Sequence, residues 1–183
     1  LKIKKNIIIS SFLLFSAFAF SQVAIGKSSI STLSDNVTPN SSISLEFGTG
    51  NKGILLPWVS SAASVTGAVN GTIIFDITDK KIKYLKGGSW FDLSVDTTGV
   101  VDTTLQDPLT EKSTAKVAIG ANGATDTTPG ILVLTDKDKA MILPKVASPH
   151  LNIINPSAGM LVYDTTAKQL AVFNGTVWSF WKP

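Results

Sequence analysis

The chain has 183 residues, of which 44% are hydrophobic and 16% are charged, and it contains no cysteine. That length suits one ordinary domain or two small ones. Serine, threonine and glycine are abundant, arginine is absent, and Glu46 and Glu111 are the only glutamates. This composition disfavours helical bundles and coiled coils, which are built from stronger helix formers.

The formal charge of +3 has a local source in Lys2, Lys4 and Lys5. Without these three lysines, 13 of the 16 basic residues remain against 13 acidic residues. A chain of balanced charge releases few counterions from a phosphate backbone, so we expect no nucleic acid as a partner.

Residues 1–21 have the pattern of a secretory signal peptide. The three lysines precede an apolar run at 7–20 that is interrupted only by serines, and Ala19-Phe20-Ser21 provides small residues for cleavage before Gln22. The run is short for a stable membrane span, with a retained signal anchor as the alternative. We therefore expect an exported protein, either secreted or held at the cell surface.

An internal duplication follows the signal peptide. Three ordered blocks recur, the second and third at offsets of 87 and 88 positions: 23–26 with 117–120, 51–59 with 138–146, and 71–76 with 159–164. Such self-similarity indicates a repeat architecture. It predicts two copies, at 22–94 and 116–183, joined by a linker at 95–115 that is rich in Thr and Asp.

The first half of each copy predicts two short strands. These are 44–47 and 131–134, then 54–56 and 141–143. Pro57 and Pro144 follow the second pair and are expected to end those strands, because proline cannot donate to a ladder. The segments 60–70 and 147–157 are then expected to form loops.

The second half of each copy predicts a three-stranded meander. Its strands are 73–75, 81–85 and a third that carries Trp90, and then 161–163, 169–173 and a third that carries Trp178. Asp76 and Asp164 follow the first strands and predict Asx turns. Asn174-Gly175 predicts a type I′ hairpin turn. The fold class expected is all-β, with two tandem copies of a small β-meander repeat after a cleaved signal peptide.

Taken together, these blocks resemble the repeat of secreted, tail-fibre-like surface proteins of the Bacteroidota. The resemblance rests on Val-Ala-Ile-Gly, Asn-Lys-Gly-Ile-Leu-Leu-Pro, Gly-Thr-Ile-Ile-Phe-Asp and Gly-x-x-Trp, and it covers nearly all of 22–183. It differs in that Trp58 and Lys145 stand where the family usually has arginine. The resemblance implies an exported structural or adhesive module without enzymatic activity.

No pattern of catalytic or metal-binding residues is evident. His150 is the only histidine, and there is no cysteine and no Gly-x-Ser-x-Gly elbow, which argues against nucleophilic catalysis and a zinc site. Four carboxylates near predicted strand ends could supply a glycosidase pair, namely Asp76, Asp79, Asp164 and Glu46. The repeated position of Asp76 and Asp164 directly after a strand favours turns instead. We expect no enzyme, no cofactor and no metal.

The four tryptophans separate into two groups. Trp90 and Trp178 occupy equivalent positions and are expected in the core. Trp58 and Trp181 lack counterparts, so they are the candidates for contact with a ligand. If they stack on sugars, the alternative function is a glycan-binding module. The expected partners are a surface glycan or another surface protein.

Two further expectations concern assembly and modification. Units of about 70 residues without disulfides are marginally stable, so either the two copies pack together or three chains form a homotrimer, as the fibre resemblance implies. Four Asp-Thr steps resemble the O-glycosylation acceptor pattern of that phylum. They would place sugars on Thr97, Thr103, Thr127 and Thr165, whereas turn capping is the alternative explanation for the same pattern.

Overall fold

A computed structural model describes residues 22–181. The predicted signal peptide, residues 1–21, lies outside the described residues. The first copy has seven strands: β1 Val23–Ile25, β2 Ile43–Phe47, β3 Ile54–Leu55, β4 Trp58–Val59, β5 Ile73–Asp76, β6 Lys81–Lys86 and β7 Ser89–Asp92. The second copy has seven more: β8 Val117–Ile119, β9 Leu132–Leu134, β10 Ala140–Met141, β11 Lys145–Val146, β12 Met160–Asp164, β13 Gln169–Phe173 and β14 Trp178–Trp181. The expected all-β fold is confirmed.

The two sets of strands correspond one to one. Each copy opens with a parallel pair, β1 with β2 and β8 with β9. Each copy ends in an antiparallel meander, β5-β6-β7 and β12-β13-β14. We call β2 and β9 the second strands, β3 and β10 the third strands, and β5 and β12 the fifth strands.

The segments after the two prolines differ from the sequence expectation. Immediately after Pro57 and Pro144 the chain forms β4 and β11, which run parallel to β5 and β12. The prolines take part through their carbonyls: Phe75 N–H donates to the Pro57 oxygen and Tyr163 N–H to the Pro144 oxygen, both at 2.9 Å. Proline lacks only the donor, so the ladder continues on its acceptor side. The loops beyond hold a 3₁₀ turn at Ala62–Ser64 and a short helix, α1, at Pro149–Asn152.

The two hairpin turns also differ from each other. Gly87 and Gly88 have φ of 57° and 77°, the positive values that a type I′ turn requires. The type I′ prediction for Asn174-Gly175 is wrong, because only Gly175 has a positive φ, at 102°. Asn174 is instead held by its side chain: Oδ1 accepts N–H bonds from Thr176 at 2.9 Å and Val177 at 2.7 Å. The amide group therefore builds a longer turn than the dipeptide rule predicts.

One hydrophobic core joins the two copies. It contains three buried side chains from each copy: Leu56, Phe75, Ile82, Ala158, Leu161 and Val172. A second core lies within the second copy alone and is formed by Val146, Ile153, Val162 and Ala171. The expectation that the two copies pack together is met within this chain.

Candidate functional site

The third strand of each copy leaves its own copy and pairs with the other one. β3 is antiparallel to β12, with Leu55 opposite Met160 and Ile54 opposite Leu161. β10 is parallel to β2, with Ala140 opposite Ile43 and Met141 opposite Leu45. We call this arrangement the strand exchange.

Close backbone approach explains the residues on the β3 side of the exchange. A Cβ on Gly53 would lie 2.5 Å from Met160 Cγ and 2.7 Å from Val162 Cγ1, so only glycine fits there. The Leu56 N–H donates to the Gly159 oxygen at 3.1 Å and extends the pairing. The Leu56 side chain then enters the shared core.

On the other side, β10 covers the edge of β2. The Ala140 N–H donates to the Ser42 oxygen and the Ile142 N–H donates to the Leu45 oxygen, both at 2.8 Å. Under this cover Ile43 is 5% exposed and Leu45 is 1% exposed. The edge of β2 is thereby removed from solvent, as sheet edges in stable proteins usually are.

The exchange is not reciprocal. A two-fold relation would also pair β10 with β5 and β3 with β9, but in residues 22–181 neither of these strand pairs forms. β9 therefore pairs with β8 along one edge and, in the described part of the chain, has no strand along the other edge. The first residues of β5 have no third strand beside them, whereas those of β12 pair with β3. Apolar side chains lie at the open edge: Ile131 is 59% exposed and Leu132 is 48% exposed.

The two candidate ligand-contact tryptophans lie in different sheets and different surroundings. Trp58, in β4, packs against the shared core and its indole N–H donates to the Ala158 oxygen at 2.7 Å. Trp181, in β14, is 46% exposed beside Phe180, which is 40% exposed. Trp178 packs against the second core and lies 5.2 Å from Phe173 between ring centroids, whereas Trp90 is half-buried on β7.

The two repeated aspartates form turns, and this prediction is confirmed. Asp76 accepts the N–H of Thr78 at 3.0 Å and that of Ala62 at 2.7 Å. Asp164 accepts the N–H groups of Thr166 at 2.8 Å, Ala167 at 3.2 Å and Ser148 at 3.1 Å. Burial alone would raise the pKa of Asp164, but these N–H groups outweigh it and hold the pKa below its usual value.

The four candidate glycosylation threonines share one local geometry. In each Asp-Thr-Thr step the aspartate accepts the backbone N–H of the second threonine: Thr98, Thr104, Thr128 and Thr166. The first threonines Thr97, Thr127 and Thr165 are exposed, whereas Thr103 is half-buried and its hydroxyl donates to Asp107 Oδ2 at 3.2 Å. Turn capping therefore occurs at every one of these steps, and it leaves the hydroxyl of the candidate residue outside the capping bond.

A buried ionic cluster in the first copy was not foreseen from the sequence. Glu46 is 3% exposed within β2 and pairs with Lys27 at 2.5 Å between Oε2 and Nζ. The Ser31 N–H and hydroxyl also donate to this carboxylate, at 2.7 and 2.6 Å. Burial alone would raise the pKa of Glu46, yet the bonds from Lys27 and Ser31 prevail and lower it. No sequence signal indicated this cluster, because Glu46 takes a polar position in the alternating pattern of β2, which favours an exposed side chain.

The remaining candidate for chemistry is His150. It lies exposed on α1, with its ring edge against Phe180 at 5.6 Å between centroids. Within residues 22–181, no three His, Asp or Glu side chains are grouped closely enough to hold a metal ion. That part of the chain also has no helix of the length and apolarity needed to cross a membrane.

Comparison with known proteins finds a similarity for part of the chain. Residues 119–182 match the family model described as a phage tail like trimerisation region. The matched segment runs from the end of β8 through β14, so it covers the open edge of β9 and the second core. This part of the chain is tail-fibre-like and structural in character. No curated protein and no solved structure matches the chain.

Proposed function

We propose that this protein is an exported, non-enzymatic structural module, tail-fibre-like in its repeat, that works as a homotrimer. The observation that carries the proposal is the trimerisation-region match over residues 119–182. Its location on the copy with the unpaired β9 edge supports a role in joining chains.

The two copies already share one core within the chain, so assembly is favoured instead by the apolar surface that one chain leaves exposed. The chain has no cysteine for disulfides. Exposed apolar residues on β8 and β9, namely Val117, Leu132 and the preceding Ile131, offer further surface to bury in a trimer.

Location and adhesion form the finer part of the proposal. The signal-like sequence at 1–21 supports export, with the mature protein secreted or held at the cell surface. There it would bind a surface glycan or another surface protein. Mass spectrometry of the N-terminal peptide of the protein from its native host tests export: a start at Gln22, free or cyclised, is expected, and retention of residues 1–21 would contradict cleavage.

Light scattering tests the trimer directly. We expect the purified protein to elute with three times the chain mass that mass spectrometry gives for the same sample. The mass should fall towards one chain on dilution if the contact is reversible. A single-chain mass from micromolar to submillimolar concentration would overturn the proposal.

A glycan-binding module is the second candidate, and the exposed indole of Trp181 on β14 favours it. Phe180 and Trp181 are 40% and 46% exposed, whereas the Trp58 indole is committed to the shared core and to Ala158. Trp181→Ala should abolish the retardation of the protein in gels that contain a bound polysaccharide. The matched control Phe91→Ala, 44% exposed on β7, should leave retardation unchanged. Equal loss in both variants, or none in either, would count against this candidate.

A further inference from the structure

The strand exchange leaves two kinds of open edge that are complementary to each other. β3 has a fifth-strand partner, β12, but no second-strand partner, whereas β10 has a second-strand partner, β2, but no fifth-strand partner. Among the described residues, β9 is a second strand without a third strand, and β5 is a fifth strand without one. Within residues 22–181, the third strands β3 and β10 each have one unpaired edge, and the open edges of β9 and β5 are each without a third strand.

We propose that two copies of this chain join by repeating the strand exchange between protomers. β10 of one protomer pairs with the start of β5 in its partner, and β3 of that partner pairs with β9 of the first. The occupant of both edges is thus a second copy of this chain. The chain itself shows what fits, because the equivalent edges of β2 and β12 are filled by strands of the same repeat.

The internal equivalence also gives the register. On the partner's β5, β10 takes the place that β3 has on β12. Ile142 then lies opposite the partner's Thr72, and the Leu143 N–H donates to the carbonyl oxygen of the partner's Gly71. This reproduces the bond from Leu56 to Gly159. On the open edge of β9, the partner's Ile54 lies opposite Leu132. The N–H of the partner's Leu55 donates to the Leu132 oxygen, which reproduces the bond from the Ile142 N–H to the Leu45 oxygen.

Burial at equivalent positions supports this contact. Leu45 is 1% exposed under β10, and its equivalent Leu132 is 48% exposed on β9. A Cβ on Gly159 would lie 3.0 Å from Phe75 and 3.1 Å from the Trp58 indole, whereas one on the equivalent Gly71 would have no atom within 4 Å. In both comparisons, a position packed against the other copy has an equivalent that one chain leaves open.

The geometry of the contact is head to tail, because each protomer offers two different surfaces. Such a contact either closes into a ring or continues into a filament. Closure at three chains rests on the proposed function. The pairing of the edges does not, and it would hold for any closed number of protomers.

Cysteine crosslinking tests the register on a background free of cysteine. We would combine Ile54→Cys with Leu132→Cys, which the proposal places opposite each other in different protomers, at the Cα separation that a disulfide spans. Oxidation should give reduction-sensitive bands of two and three chains. The control Ile54→Cys with Leu151→Cys, whose second site is 73% exposed away from the edge, should stay monomeric on the same gel. Equal bands from both pairs, or none from the first, would overturn the register, and bands beyond three chains would overturn closure.

A charge on the open edge tests the interface without a covalent bond. Leu132→Lys places an ammonium where assembly would bury it as Leu45 is buried, so the dissociation constant should rise about 100-fold or more. Because Leu132 is half exposed within one chain, the variant should retain its circular dichroism spectrum. Leu151→Lys, exposed elsewhere, should assemble as the unsubstituted protein does.

The outcomes separate this inference from the proposed function. A trimer that survives Leu132→Lys, with no crosslink between positions 54 and 132, would leave the homotrimer standing and place its interface elsewhere. A protein that is monomeric at every concentration would overturn both.

Discussion

The edges of β2 and β9 occupy the same place in the repeat but have different surroundings. β10 covers the edge of β2, and Leu45 is buried there, while Leu132 at the equivalent point on β9 remains half exposed. The fifth strands show the converse, since β12 in the second copy receives β3 and β5 in the first receives none. Because the exchange is not reciprocal, one second strand and one fifth strand receive a third strand, and the other second strand and fifth strand remain open. Duplication therefore leaves unpaired in each chain the edges on which the proposed association rests.

The two copies differ in polarity as well. At the position next to Leu45, the first copy has the buried Glu46 with Lys27 and Ser31, and at the equivalent position the second copy has Val133. The second copy has its own apolar core around Val146 and Val162. The first copy therefore depends more on polar contacts and on the core that it shares.

The largest effect should come from the shared core. Phe75→Ala removes a fully buried ring and should lower the free energy of unfolding by about 3–5 kcal/mol. Because Phe75 packs with residues of both copies, amide exchange should accelerate in β12 and β13 as well as in β5. Val146→Ala, in the core of the second copy alone, should accelerate exchange mainly there. Unchanged protection of β12 in Phe75→Ala would show that the copies are independent.

The dependence of stability on pH should reveal the contribution of the buried carboxylate of Glu46, which has no equivalent in the second copy. The pKa of Glu46 is lowered in the folded chain, so its contribution to stability is present above the unfolded value of about 4.3 and is lost as the pH falls through the folded pKa. Between pH 7 and pH 3 the unsubstituted protein should lose more of its free energy of unfolding than Glu46→Gln, by an amount on the order of 1 kcal/mol.

Glu111→Gln is the matched control for that titration, since Glu111 is the other glutamate and lies exposed in the linker. Its denaturation curves should follow those of the unsubstituted protein at both pH values. Parallel losses in all three proteins would show that Glu46 contributes nothing specific.

Removal of the indole N–H should destabilise the protein at Trp58 and have little effect at Trp181. Trp58→Phe leaves the buried Ala158 carbonyl without its donor and should cost about 1–2 kcal/mol in urea denaturation. Trp181→Phe, at an exposed site, should change stability by less than about 0.5 kcal/mol. A larger loss in Trp181→Phe than in Trp58→Phe would reverse this assignment.

The smallest effect on stability is expected at the candidate glycosylation sites. Thr97→Ala and Thr165→Ala should each change the free energy of unfolding by less than about 0.5 kcal/mol, because the N–H groups that donate to the capping aspartates belong to Thr98 and Thr166. Intact mass spectrometry of protein from the native host should show added hexose-type mass on the unsubstituted chain and less on each variant. A mass equal to the bare chain from Gln22 to Pro183 would end the glycosylation prediction.

Much of the local structure followed from the sequence. Apolar runs of strand length bounded by turn residues placed both meanders, and 169–173 matches β13 without adjustment. The aspartate turns followed because a short acceptor beside free N–H groups closes on its own backbone. The Asn174 turn did not follow the dipeptide rule, because its buried side chain also donates to Asp96 at 2.8 Å, a contact with the linker.

The site was harder to predict. The sequence grouped Trp58 with Trp181 because neither has a counterpart, and only packing shows that one is tied to the core and the other is exposed. The strands β4 and β11 were missed because a proline removes a donor, whereas the pairing there uses its carbonyl.

By itself the sequence determined the repeat, the order of the strands and the turns between them, since these depend on side-chain periodicity and on backbone preferences of neighbouring residues. Only the tertiary structure decided which copy each third strand joins. Backbone hydrogen bonds are the same for every partner, so the same segment can pair with its own copy, with the other copy or with another chain. The choice depends on the burial of side chains such as Leu45 and Leu56 against distant parts of the chain, and no local pattern records that burial.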